Sequence, residues 1–173
     1  MTVVVRPATP ADRAAIERVV SDAFSDDTRD AGEELDIVRQ TWARRAGAAC
    51  LDLVATDAGQ LVVGHVLAAT GDLDGHPVAG VAPLSVAPTH QRAGVGTALM
   101  EALIGAAAQR GWATLVLLGD PAYYTRFGFV PAASRGIHYG PAGRDSPHFL
   151  VRLDDDGAGA ALPGGEYRYC WEL

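Results

Sequence analysis

Apolar and polar positions along the chain alternate between short β-type runs and stretches with helical period. Residues 2–6 form a β-branched run that reads as a first strand, ended by Pro7. Thr9-Pro10-Ala11-Asp12 then predicts a helix start, with Thr9 as N-cap, Pro10 at the first position and Asp12 at the third. Ala15, Ile16, Val19, Val20 and Phe24 give that helix an apolar stripe. A second helix is predicted over 33–45, with Leu35, Val38 and Trp42 on one side and Gly47 closing it.

Residues 50–56 and 61–69 are apolar strand candidates joined by a hairpin-length Asp57-Ala58-Gly59-Gln60. A turn over 71–76 leads into a third strand at 78–86, whose Pro83 cannot donate to a ladder and belongs at an edge or where strands part. The pattern then changes period. Val95, Leu99, Ala102, Leu103 and Ala106 fall on one helical face, and Gly111 supplies a stop. Residues 113–118 are a continuous apolar run, typical of a strand buried on both faces and parallel to the one before the helix. Asp120-Pro121 caps a short helix to about Arg126, and 128–131 returns as a strand. Residues 133–147 read as loop, 148–153 as a strand and 154–165 as a linker. Alternation in 166–173 predicts a final strand or an edge cover, with dimer contact, lid and plain edge strand all open.

The junction at 91–97 carries the candidate chemistry. Gln91-Arg92-Ala93-Gly94-Val95-Gly96-Thr97 places two glycines where a helix opens. The first amides of a helix have no intrahelical partner and the dipole adds positive charge, so this mouth suits an anion such as a pyrophosphate. A P-loop is excluded because no lysine follows the glycines; all 14 basic residues are arginine. A dinucleotide fingerprint lacks its third glycine near Leu99.

Composition narrows the function classes. A chain of 173 residues, 49% of them hydrophobic, suits a single domain over 1–173, with 132–173 its least diagnostic part. A net charge of −7 argues against nucleic acid or an anionic membrane as partner and is compatible with a cationic amine. No apolar run reaches membrane-spanning length and the N-terminus lacks a signal pattern, so a cytoplasmic location is expected. Cys50 and Cys170 read as free thiols, and the five histidines have no metal-ligand spacing, so no metal is expected.

Leu84-Ser85-Val86-Ala87-Pro88, then Gln91-x-x-Gly94-x-Gly96, then Tyr123-Tyr124-Thr125-Arg126-Phe127-Gly128-Phe129 resemble the GNAT superfamily of acetyl-CoA-dependent N-acetyltransferases. The first blocks are similar to its Q/R-x-x-G-x-G/A acetyl-CoA loop and the last to its F-Y-x-K-x-G-F segment, over roughly residues 2–132. The resemblance implies an α/β fold with a mixed, mainly antiparallel sheet of about six to seven strands, helices on both faces and a splayed central strand pair. It implies acetyl-CoA as cosubstrate, held by backbone groups of Leu84 and Val86 and by Gln91, Arg92, Ala93, Gly94, Val95, Gly96 and Thr97. It further implies direct transfer to an amine, with a small-molecule amine the leading acceptor, and leaves a homodimer open. A peptide or protein acceptor and a non-catalytic acetyl-CoA sensor are the alternatives.

Tyr124 matches the tyrosine at which many members place the general acid. A phenol at pKa ~10 can protonate a leaving thiolate of pKa ~8.5. The chain departs from the pattern at the base, because 80–86 holds no acid or histidine. Asp72, Asp74, His76 and His65 are nearby candidates, and a water relay or an amine arriving neutral are equally open. His90 and Arg92 are candidates for phosphate contact. The acidic stretch at 21–36 would border the acceptor by the same resemblance, or serve as a solvated loop.

Overall fold

The computed structural model describes residues 2–25, 28, 30–44, 49–140, 146–154 and 162–173. The expected closure of the second helix at Arg45 and Gly47, most of the 154–165 linker and part of the acidic stretch lie outside them. The chain divides into two compact units, Met1–Ala68 with Ala82–Ala106, and Ala69–Val81 with Ala107–Leu173.

In the first unit, β1 (Val4–Pro7) pairs antiparallel with β2 (Cys50–Thr56), from Val4↔Thr56 to Pro7↔Leu53. Pro7 thus belongs to the strand, which lies at the edge of the sheet, where a residue without an N–H is tolerated. Pro10–Asp12 is a single 3-10 turn leading into α1 (Arg13–Phe24). The Asp12 carboxylate accepts from Thr9 N and Thr9 Oγ1, both at 2.8 Å, and takes both ends of the Arg6 guanidinium at 2.8 and 2.9 Å. These contacts hold the Asp12 carboxyl well below the usual carboxylate range, the Arg6 hydrogen bonds being the largest cause. α2 (Gly32–Arg44) lies against α1, and Ile16, Val19, Val20 and Val38 meet Val54 and Leu67 in one apolar cluster. Leu67 belongs to β3 (Val62–Leu73). Gly64 of the same strand lies against Val95 and Leu99 of α3 (Val95–Gln109), while α1 and α2 pack on the Val54–Leu67 cluster.

β3 runs four residues beyond the predicted end and turns at Asp74-Gly75 into β4 (His76–Val86), so Gly71 to Leu73 are strand rather than turn. In the second unit Asp72 and Leu73 pair with Arg168 and Tyr167 of the C-terminal strand, a long-range ladder that local turn chemistry could not reveal. β4 pairs in parallel with β5 (Thr114–Leu118), from Ala79↔Leu115 to Val81↔Leu117, and this ladder ends two residues before Pro83. α4 (Pro121–Tyr124) follows, capped by Asp120, whose carboxylate accepts from Ala122 N at 2.9 Å. β6 (Val130–Pro131), β7 (Ile137–Tyr139) and β8 (Phe149–Leu153) come next; β8 pairs antiparallel with β5 and β6.

Ile137–Tyr139 therefore corrects the loop expected over 133–147: it pairs in parallel with β9 (Gly165–Arg168). β9 also pairs antiparallel with β3, making the tail an integral strand, and Tyr167 and Tyr169 sink into an aromatic cluster with Phe149 and Trp171. Among the described residues the sheet has nine strands, above the expected six to seven because the two- and three-residue strands carry little periodic signal.

Candidate functional site

The junction between β4 and α3 is built from two left-handed residues. After a 3-10 turn at Pro88–His90, Arg92 has φ +57° and Gly94 φ +87°, and Val95 begins the helix. The first helical bond runs from Ala98 N to Gly94 O at 3.0 Å, so the amides of Val95, Gly96 and Thr97 have no acceptor within the helix. Gln91, Arg92, Ala93 and Gly94 are exposed, Gly96 and Thr97 half-buried, and only Val95 turns into the core. A non-glycine residue held at positive φ is strained, and such outliers concentrate at ligand-binding turns. A Cβ built on Gly94 meets no atom within 4 Å. The space over the turn is open, as an anion approaching backbone amides requires.

Gln91 also has a role inside the protein. Its Nε2 donates to Val86 O at 3.1 Å, fastening the turn to the end of β4, while Ala87 N donates to Val63 O at 2.9 Å. Leu84 and Val86 are half-buried and flank a buried Ser85. His90 pairs with Thr89, its Nδ1 lying 2.9 Å from Thr89 Oγ1.

Tyr124 closes α4 in the second unit. Its ring packs edge-on to Tyr123 at 4.9 Å and to Phe129 at 5.9 Å, and it stands where Gly119 has no side chain. A Cβ on Gly119 would lie 2.7 Å from Tyr124 Cδ2 and closer still to Cε2. No hydrogen bond to the Tyr124 hydroxyl exists among the described residues, and burial, followed by the neighbouring Tyr123, pushes its pKa upward. The phenol stays protonated through the physiological range. Tyr123 turns instead toward Arg126, whose guanidinium lies 4.6 Å from its ring centre.

The base candidates separate. Asp72 accepts from Gly75 N and pairs with Arg168, and His76 Nδ1 lies near Asp74 O, so the hairpin end is occupied with its own turn. His65 is different: it is wholly buried, with Nε2 2.9 Å from Asp52 Oδ1, and Asp52 Oδ2 accepts from Trp42 Nε1 at 2.8 Å. Neither Asp52 nor Trp42 stood out in the sequence as site residues, since they lie far from the motifs and their pairing is a tertiary product. The isolated glycines at 64 and 119 were the legible signal of close approach. Among the described residues no group of three or more His, Cys, Asp or Glu side chains is placed to hold a metal ion.

Together these features define an α/β protein with exposed helix amides and a left-handed turn at the start of α3. Residues 49–131 match the family model described as acetyltransferase (GNAT) domain. The chain is 32% identical over 154 residues to the uncharacterized N-acetyltransferase YhbS of Escherichia coli K12, covering 88% of each. It is 35% identical over 105 residues to the uncharacterized N-acetyltransferase YjhQ of the same organism, covering 58% of each. The crystal structure of E. coli YhbS in complex with CoA superposes with a TM-score of 0.81 at 30% identity, over 96% of this chain and 89% of that one. A GNAT family acetyltransferase from Brucella melitensis in complex with acetyl-CoA gives 0.76 at 29%, over 97% and 96%. The chain belongs to the GNAT family and is an N-acetyltransferase.

Proposed function

We propose that the protein transfers an acetyl group from acetyl-CoA directly to a primary amine of a small molecule, as a single catalytic domain. The observation that carries this reading is the Arg92–Gly94 turn, with its left-handed backbone, open space and outward helix amides at the end of β4. The coenzyme complexes of the YhbS and Brucella structures support the same cosubstrate here. The residues fit it. Amides of Val95, Gly96 and Thr97 would face the pyrophosphate, the Arg92 guanidinium would add charge, Ala93 and Gly94 would admit it closely, and Gln91 would hold the turn. Backbone groups of Leu84 and Val86 would receive the pantetheine arm.

Acetyl-CoA supplies a thioester carbonyl for attack. Tyr124, kept protonated by burial, would be the residue that supplies a proton to the departing sulfur, its phenolate recovering one from the attacking amine. The acidic net charge of −7 favours a cationic acceptor by long-range attraction.

Calorimetry with acetyl-CoA on wild type, Gly94→Ala and Gly94→Glu tests the reading. Alanine imposes the left-handed strain alone, whereas glutamate adds bulk and negative charge at the same point. Binding by wild type, retained in part by Gly94→Ala and lost in Gly94→Glu, is expected. No binding to folded wild type would refute it. A panel of alkylamines, polyamines and aminoglycosides set against peptides then separates small-molecule from protein acetylation.

A further inference from the structure

The last register pair of β5 and β8 is Leu118↔Phe149, which sets Gly119 opposite His148 one residue further on. Gly119 N donates to His148 O at 2.8 Å. In a hydrogen-bonded antiparallel pair each residue both gives and takes a bond, so the amide of His148 should return one to Gly119 O. Instead His148 N donates to Ser146 Oγ at 3.2 Å, and the His148 ring takes its place, with Nδ1 3.3 Å from Gly119 O. A carbonyl oxygen only accepts, so this contact requires the ring proton on Nδ1 and leaves Nε2 of the neutral ring bare. The last rung of the ladder is thus half backbone and half imidazole, and the imidazole belongs to an exposed residue.

Gly119 is also the residue on which Tyr124 stands. A Cβ there would lie 2.7 Å from Tyr124 Cδ2 and closer still to Cε2, so the ring leaves room only for glycine. That choice creates a joint, because glycine restricts its own φ and ψ least of all residues. α4 starts directly after it: Asp120 O accepts from Tyr123 N at 3.0 Å and from Tyr124 N at 3.1 Å, and the Asp120 carboxylate caps Ala122 N. The peptide unit is planar, so holding Gly119 O fixes the plane from which Asp120 departs, and with it the direction of the short helix. The Tyr124 hydroxyl has no hydrogen bond of its own among the described residues, so the packing of its ring and this joint set its aim.

We infer that His148 is a positioning residue for Tyr124: its Nδ1–H clamps the Gly119 carbonyl and so fixes the glycine joint that aims the phenol, an inference resting on the acetyl-transfer reading. Gly119 is held on both sides by this one residue, its N–H by the His148 carbonyl and its own carbonyl by the His148 ring. Without the ring bond only the first remains, and α4 can swing about the freed peptide. The clamp transfers no proton. Imidazole with its proton on Nδ1 and imidazolium both donate there, so the clamp persists whether or not His148 is charged. The charged group next to the joint in the chain is the Asp120 carboxylate, which is engaged by Ala122 N at 2.9 Å.

The clamp is tested by steady-state kinetics on wild type, His148→Ala, His148→Asn and His148→Gln with the best acceptor from the amine panel, beside acetyl-CoA calorimetry and thermal unfolding. Asparagine carries an N–H about as far from the backbone as Nδ1, and glutamine one about as far as Nε2. His148→Ala is expected to lower kcat about 10- to 100-fold, the scale of a misplacement of about 1 Å, with KM, acetyl-CoA affinity and folding near wild type. His148→Asn should restore most of kcat, and His148→Gln should not. In a Tyr124→Phe background His148→Ala should cost nothing further, because its effect passes through the phenol. Unaltered kcat in His148→Ala, an asparagine variant as slow as the alanine one, rescue by glutamine alone, or an additive loss in the double variant each overturns the positioning role. Imidazole nitrogen NMR of the wild type is a second arm: where His148 is neutral, Nδ1 protonated with Nε2 bare is expected, and the opposite tautomer overturns the clamp without reference to turnover. Failure of wild type to bind acetyl-CoA strikes the transfer reading itself, and the tautomer still decides the clamp. Binding without turnover on any acceptor overturns both the transfer and the positioning.

Discussion

Gly64 is the position where a single methyl group tests how the sheet sets the coenzyme turn. A Cβ built there lies 2.9 Å from Val95 Cγ1 and 2.9 Å from Leu99 Cδ1. Carbon pairs are most favourable at about 3.5–4.0 Å, so each contact is short by roughly 0.6–1.1 Å. Val95 is 1% exposed and Leu99 0%, which leaves neither side chain an open direction in which to turn. Overpacking of this kind costs about 1–3 kcal/mol, while alanine recovers roughly 0.4–1 kcal/mol by restricting the unfolded chain. Gly64→Ala is therefore expected to destabilise by about 1–2 kcal/mol, lowering Tm by roughly 2–8 °C for a chain of this size. The relief available is displacement of the start of α3, and Val95 lies between Gly94 and Gly96, so acetyl-CoA affinity should fall with stability. Thermal unfolding and calorimetry on the same preparations measure both. An unchanged Tm with wild-type affinity would refute the close-packing argument, and a lower Tm with unchanged affinity would refute its link to the turn.

Three other perturbations probe separate parts of the structure. Tyr124→Phe should lower kcat by about 100-fold with acetyl-CoA affinity intact, and wild type should show no alkaline loss from phenol ionisation below pH ~10, because burial raises that pKa; a pH–rate profile and calorimetry check both. Gly119→Ala places a methyl group against the Tyr124 ring and should reduce kcat more than coenzyme binding, read by steady-state kinetics beside calorimetry. Asp12→Asn should cost roughly 1–2 kcal/mol at neutral pH through the lost cap and charge pair. Because the folded pKa of Asp12 is depressed, that contribution is present above the unfolded value of ~3.9 and disappears as pH falls through the lower folded one. Urea unfolding of the two proteins should accordingly converge in acid.

What was legible in the sequence was whatever local pattern determines. Thr9-Pro10-x-Asp12, Asp120-Pro121 and Gly111 specify helix ends through groups within four residues of one another, and the structure has each of them in that role. The glycines of 91–97 declare a turn for the same reason, since only backbone freedom is at stake. The apolar stripes of α1 and α2 also match the buried positions, because helical period maps directly onto one face. The strand at Ile137–Tyr139 was hidden because three residues carry too little alternation to be read without their partner in β9.

Sequence alone thus determined the order of elements, the helix caps, the glycine turn and the motifs that name the family. Tertiary structure decided what meets across strands. Residues 42, 52 and 65 are distant along the chain, and nothing in their local context shows that Asp52 takes both the Trp42 indole N–H and His65 Nε2. Their meeting follows from strand register and from the packing of α2 on the sheet, both fixed by burial and hydrogen bonding summed over many residues. In the same way, the hole that Gly119 leaves for Tyr124 and the one that Gly64 leaves for α3 are shapes, and a shape exists only when both surfaces are in place.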